Sequence, residues 1–251
     1  MNVRVLPAGD SAWLIELPER IDPAVNARAI EIARAIEALS PRHSPFVDSR
    51  SPVRDLRSRV PDRLPVTDVV VGYRSVMVYI DPLAPGADRI ERRLRQVAES
   101  PAVSTSVHSA IVEVPVCYDG SLGPDLGDVA AFGRCTPDEV IALHLSREYR
   151  VFVVGFVPGF AYMASVDMRI AAPRRSSPRL KVPAGSVAVA SGQTGVYPAE
   201  TPGGWNLVGR CPIRPYDPDR AEPFLFHAGD RVRFRRIAED EYRATSQWGD
   251  V

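Results

Sequence analysis

Lysine is almost missing from this chain of 251 residues: its 31 basic side chains include a single lysine, Lys181, and the rest are arginine. That scarcity excludes a Walker A loop, whose Gly-Lys-Ser/Thr lysine reaches the terminal phosphates; Lys181 stands between Leu180 and Val182. Cysteine is also scarce. Cys117, Cys135 and Cys211 are odd in number, far apart and outside any Cys-x-x-Cys, so neither a zinc site nor a disulfide framework is indicated. Net charge is absent, with 31 acidic residues against 31 basic ones, which argues against bulk nucleic-acid binding. No apolar run approaches the roughly 18 residues of a membrane span. The stretch from Met1 to Leu17 lacks the layout of a secretory signal. Gly-x-Gly-x-x-Gly, His-Glu-x-x-His and Gly-x-Ser-x-Gly are missing too. The expectation is a cytoplasmic protein that binds no nucleic acid, no membrane and no metal.

What the chain does have is an ordinary apolar fraction of 45% and an excess of proline, 24 residues, about twice the usual share of roughly 5%. The first hundred residues alternate strand and helix signals. Val3–Leu6 and Trp13–Leu17 read as strands around a Gly9-Asp10 turn. Asp22-Pro23 supplies a cap and a first-turn proline, and Val25, Ala29, Ile32, Ile36 and Leu39 follow at helical spacing. Val69–Tyr73 and Val76–Ile80 predict a hairpin, and Ile90, Leu94 and Val97 line a second helix. Between these, serine, proline and arginine make up 16 of the 26 residues from Ser40 to Pro65, too little apolar material to offset ordering entropy. A flexible surface insertion is expected there.

After about Ala110 the texture changes. Ile111–Tyr118 reads as a strand, and Thr136-Pro137-Asp138-Glu139 as a capping box that opens a helix to about Arg150. Short β-rich runs follow at Arg150–Phe156, Val187–Ala190, Trp205–Pro212, Phe224–Phe226, Arg231–Arg236 and Tyr242–Ser246. Many short strands with Gly/Pro turns predict a barrel or sandwich.

Candidate chemistry concentrates in Gly155-Phe-Val-Pro-Gly-Phe160, Pro173–Ser186, Ser191–Pro198 and Thr201–Trp205. Gly/Pro-rich loops let backbone approach a ligand at low entropic cost. Arg174, Arg175, Arg179 and Lys181 add four cations, while Ser176, Ser177, Ser186, Thr194, Thr201 and Gln193 offer groups to orient a carboxylate or phosphate. The same residues serve equally as rigid barrel loops with solvated cations. His43, His108, His144 and His227 have no visible partner and read as structural. Asp119, Asp125 and Asp128 flank a Gly-rich turn and read as Asx-turn residues, without EF-hand spacing.

These motifs carry a resemblance. Tyr118-Asp-Gly-x-x-Gly-Pro-Asp-Leu126, Glu148–Phe152, Gly155–Phe160, Pro173-Arg-Arg-x-x-Pro178, Val182–Val187, Gln193–Pro198, Pro202-Gly-Gly-Trp205 and Gly209-Arg210 resemble the KipI/PxpB family. That family is also called allophanate hydrolase subunit 1, or the B subunit of 5-oxoprolinase. The resemblance covers nearly the whole chain and departs from it at Ser40–Pro65. It implies an α+β protein: a small N-terminal α/β, ferredoxin-like domain over residues 1–105, with the insertion at 40–65, and a cyclophilin-like β-barrel over 106–251. It further implies a KipA/PxpC-like partner (allophanate hydrolase subunit 2) and a third, LamB/YcsF-like subunit. Together these would open 5-oxo-L-proline to L-glutamate with ATP, bound by this chain or by the complex. Two alternatives follow from the same resemblance. One is a component of a urea-carboxylase-type carboxyltransferase, although Lys181 lacks a biotin-acceptor context. The other is a kinase-inhibiting binding protein without catalysis. Peptidyl-prolyl isomerisation is disfavoured, because Phe226-His227-Ala228 lacks the arginine of the cyclophilin element, and fold alone confers no activity.

The expected site is the barrel-loop cluster. Arg175, Gln193 and Lys181 are the catalytic candidates. Arg174, Arg179, Ser186, Thr194 and Tyr197 are expected to bind substrate, with Gly159, Gly185 and Gly203 allowing close approach. Phe156, Phe160 and Trp205 are expected as pocket wall or partner surface.

Overall fold

The computed structural model of the chain describes residues 3–20, 22–40, 64–101 and 111–248. The insertion expected at 40–65 therefore falls almost wholly outside the described residues, as do His43 and His108. The chain divides into two compact units, Met1–Ser106 and Val107–Val251.

In the first unit, β1 (Arg4–Pro7) and β2 (Ala12–Glu16) form a hairpin, followed by α1 (Pro23–Ala38), β3 (Val66–Val71), β4 (Ser75–Ile80) and α2 (Ile90–Glu99). Asp22 caps α1 by accepting from the amides of Ala24 and Val25, with Pro23 in the first turn. The helical face read from the sequence, Val25, Ala29, Ile32 and Ile36, is buried. It packs with Leu94, Val5, Ile15, Val76 and Val78 in one core. The sheet order is β1-β2-β4-β3, antiparallel throughout. The element order is thus ββαββα, not the βαββαβ of the expected ferredoxin-like unit; the strand that would come last stands first. The ends of the 40–65 stretch meet: the Leu64 amide donates to Leu39 O at 3.0 Å, and Ser40 Oγ donates to Val66 O at 3.2 Å.

The second unit is a nearly closed barrel. Its strands are β5 (Ile111–Val116), β6 (Tyr149–Val154), β7 (Ala161–Ala164), β9 (Ser186–Ala190), β10 (Gln193–Val196), β12 (Asn206–Arg210) and β13 (Arg231–Arg236). They run in the order β12-β9-β10-β7-β6-β13-β5. Cys117, just past β5, and Arg210, at the end of β12, exchange backbone hydrogen bonds of 2.9 and 2.8 Å, which joins the two edges. A separate ribbon of β8 (Arg179–Val182) and β11 (Thr201–Gly203) lies outside this sheet. Helices α3 (Leu126–Gly133) and α4 (Pro137–Leu145) contribute Leu126, Val129, Val140 and Ile141 to the barrel core. The predicted capping box is present, with Thr136 and Glu139 each accepting from the other's amide.

Strand β9 is buried along its whole length. Side chains alternate faces along a strand, and here both faces are covered. Val187 and Val189 enter the barrel core, while Ala188 and Ala190 pack in a second cluster with Phe160, Val182, Tyr197, Trp205 and Leu207. The ribbon and loops outside the barrel therefore have an apolar floor of their own.

Two sequence expectations are corrected. Tyr242–Thr245 of the strand expected at Tyr242–Ser246 belong to helix α5 (Glu239–Thr245), and Ser246 follows its end. Its first turn carries Glu239, Asp240 and Glu241, which complement the helix dipole, and Arg243 pairs with Glu239 one turn back. Phe224–Phe226 is no strand; Phe224 makes only an isolated bridge to Tyr216.

The barrel also encloses a polar chain. His144 on α4 is fully buried, with Nδ1 2.8 Å from the Tyr118 hydroxyl and Nε2 2.9 Å from Thr194 Oγ1. It stacks on Phe234 at 4.5 Å between ring centroids. Burial holds its pKa down at about 3, so the ring is neutral. The unfolded chain protonates His144 near its ordinary value of about 6.5. The folded chain does so only near 3, so stability is expected to fall as pH is lowered through that window. The slope is up to about 1.4 kcal/mol per pH unit for one proton. Urea denaturation at pH values from about 7 to about 5 checks this: the slope should be shallower in His144→Gln than in the wild type.

Candidate functional site

The loop cluster is organised by a residue that local spacing does not single out. Asp125 occupies the cap position of α3, yet its side chain makes no cap hydrogen bond. Its carboxylate is buried and turned toward the 173–179 loop. Oδ1 accepts from Arg175 Nη1 at 3.0 Å and from Arg179 Nη2 at 2.7 Å. Oδ2 accepts from Arg179 Nη1 at 2.9 Å and from the Leu207 amide at 2.7 Å. Arg179 thus grips both oxygens as a fork, the strong geometry for a guanidinium and a carboxylate. The Asp125 amide also donates to Leu207 O at 2.9 Å, which fastens α3 to β12.

The same loop is tied on both sides of Arg174. Asn206 Nδ2 donates to Pro173 O at 2.9 Å, and the Arg175 amide donates to Gly204 O at 2.8 Å. Arg174 itself is exposed, and among the described residues no hydrogen bond or ion pair engages its guanidinium. It stands at the rim of a pocket of about 250 Å³ lined by Phe156, Phe160, Tyr162, Tyr197, Gly203 and Trp205, among others.

Phe160 is the centre of the pocket wall. Its ring meets Phe156, Tyr162, Tyr197 and Trp205 edge to face, with centroids 5.9, 4.8, 5.1 and 5.5 Å away, within the preferred range for aromatic pairs. The β6–β7 connection places it: the Gly155 amide donates to Phe160 O at 3.0 Å and the Phe160 amide to Val157 O at 3.1 Å. In this connection Phe156 has φ of 75°, rare for a bulky residue, and the residue is 64% exposed. Burial pushes the Tyr197 pKa up to about 12, against the opposing effect of the neighbouring Trp205 amide. Burial likewise raises Tyr162, and the nearby Arg174 charge opposes the shift at both tyrosines.

The other expected site residues lie elsewhere. Lys181 is exposed and pairs with Glu200 at 3.2 Å. Together with Arg179, Arg210 and Ser186 it borders a second pocket of about 270 Å³. Ser186 is buried and donates to Pro183 O at 2.7 Å. Thr194 points into the barrel at His144. Gln193 shares a face with Tyr197, but the length of β10 separates them by roughly 13 Å. Gly159 and Gly185 have positive φ, and what approaches them is protein: a Cβ would meet Tyr216 Cβ at 2.6 Å and Trp248 Nε1 at 2.5 Å. Gly203 does border the pocket, where a Cβ would come within 2.5 Å of the Tyr197 hydroxyl. Arg175 and Arg179 are anchors of the loop, not cations waiting for an anion. Asp125 and Tyr162 are the additions; Asp125 lies inside a recognised motif, but its partners are 50 and 54 residues away.

Comparison with known proteins gives this geometry a context. The family described as "Carboxyltransferase domain, subdomain C and D" matches residues 43–226. The 5-oxoprolinase B subunit of Bacillus subtilis (strain 168) is 40% identical over 243 residues, covering 94% of this chain and 93% of that protein. This chain belongs to the family of 5-oxoprolinase B subunits. The corresponding protein of Escherichia coli O157:H7 is 43% identical over 180 residues, 71% of this chain and 82% of its own length. The crystal structure of TTHA0988 superposes with a TM-score of 0.71 at 35% identity over 90% of this chain. This chain spans only 40% of that longer protein. Within this family's fold, the motifs Gly155–Phe160, Pro173–Pro178, Gln193–Pro198 and Pro202–Trp205 all border the aromatic pocket. The motif ending in Leu126 supplies Asp125.

Breaking a buried ion pair from one side leaves uncompensated charge and costs about 3–5 kcal/mol. The side chains of Arg175 and Arg179 are 32% and 26% exposed, so Asp125→Asn is expected to cost somewhat less, about 2–3 kcal/mol. Lys181→Ala should leave stability unchanged, since exposed pairs contribute little. Urea midpoints of the two variants against the wild type check both statements.

Proposed function

We propose that this chain is the PxpB-type component of an ATP-dependent 5-oxoprolinase complex, which opens 5-oxo-L-proline to L-glutamate. It acts with a KipA/PxpC-like subunit and a LamB/YcsF-like subunit, and is inactive alone. The observation that carries the reading is the 40% identity to a 5-oxoprolinase B subunit along almost the full length of both proteins. The aromatic pocket bordered by the shared motifs supports it, because it offers a small ligand apolar walls and one uncommitted cation.

The aromatic pocket presents one free guanidinium, and a triphosphate calls for several cations, so we place ATP with the partner subunits. A second reading, a carboxyl-transfer component, is favoured by the description of the matching family.

Co-purification with the subunits encoded beside it tests the proposal. The assembled complex should release glutamate only when ATP and 5-oxoproline are both present, and this chain alone should release none. An assembled complex that releases no glutamate overturns the reading, and urea-dependent carboxylation then becomes the assay to run.

A further inference from the structure

Of the three arginines in the 173–179 loop, two are spoken for. Arg175 and Arg179 share the Asp125 carboxylate. Arg174 lies between them and the Pro173 tether, at the rim of the aromatic pocket, with no hydrogen-bond or ion-pair partner among the described residues. We propose that this pocket is the subsite for the lactam substrate, a small flat ring with one carboxylate, which Arg174 binds while the ring lies between the exposed Phe156 and the half-buried Tyr162. The assignment rests on the 5-oxoprolinase reading and adds which side chains recognise the substrate.

The sign of the ligand follows from the rim. Aromatic walls without a charge select cations through their negative faces; a guanidinium at the mouth repels a cation and selects an anion. The size follows from the volume. About 250 Å³ lies below the roughly 300–1,000 Å³ of sites for drug-sized ligands, which suits a ring-sized metabolite and is small for a nucleotide. The orientation follows from Tyr197. Its hydroxyl stands beside Gly203 in the pocket lining, placed to donate toward a ligand carbonyl. Gly203 keeps that side open, since a Cβ there would sit 2.5 Å from the same hydroxyl. Phe156 stands at the mouth, largely exposed, with its backbone at φ 75°. Strained conformations of this kind cluster at ligand clamps, and here the ring is placed to shield the carboxylate–guanidinium pair from water.

The test uses the assembled complex and two variants, Arg174→Ala and Arg174→Lys. Arg174→Ala should raise KM for 5-oxoproline by about 10- to 100-fold, the scale of a lost charged hydrogen bond. KM for ATP and co-purification of the subunits should be unchanged. Arg174→Lys should fall between, since it keeps the charge and loses the fork. An active complex in which Arg174→Ala leaves KM for 5-oxoproline unchanged overturns the subsite and leaves the function standing. Loss of assembly in Arg174→Ala also overturns it, and makes the pocket a subunit interface. If the wild-type complex releases no glutamate, the function fails separately, and saturation-transfer NMR of 5-oxoproline with the full chain decides the subsite. Transfer that disappears in Arg174→Ala supports it, and no transfer to the wild type overturns it.

Discussion

The second unit depends on one buried carboxylate. Asp125 holds two guanidinium groups and a strand amide at once, and with its own amide it fixes the start of α3 to β12. Such a group is costly to bury unless each of its oxygens is satisfied, and here every one is. The cost is offset only when α3, β12 and the 173–179 loop are all in place, so the interaction reports on the assembly of three separate segments. Its consequence for the site is indirect. By engaging Arg175 and Arg179 it sets the loop's path and leaves Arg174 facing the pocket.

The pocket is possible because the barrel wall is used twice. A barrel strand ordinarily has one face in the core and one in solvent. In β9 both faces are buried, since Ala188 and Ala190 support the outer cluster of Phe160, Tyr197 and Trp205. Small residues on that outer face let the aromatic rings come close to the backbone. Rigid walls of this kind position a ligand more exactly than a mobile loop does.

The sequence was readable where the signal is local. The face of α1, the capping box and the strand at Arg231–Arg236 depend on residues a few positions apart, and the structure has them as read. Aromatic and Gly/Pro motifs pointed to the loops that border the pocket, because such residues are concentrated there. What was illegible is pairing at a distance. Nothing near Arg175 or Arg179 announces a carboxylate 50 or 54 positions earlier, so both looked like free cations. Thr194 looked like a substrate hydroxyl for the same reason, its histidine being 50 residues away. The Tyr242–Ser246 error had a different cause: two apolar residues in a short run fit a strand or a helix equally well.

The meeting of Leu39 with Leu64, and of Ser40 with Val66, bears on how this lineage can change. Two points already fastened together by the sheet and α1 make the number of residues between them nearly irrelevant to folding, since closure entropy grows only with the logarithm of length. Natural variation can therefore lengthen, shorten or recompose that stretch without disturbing the helix or the strand it joins. The α1–β3 junction is a place where the chain is permitted to drift.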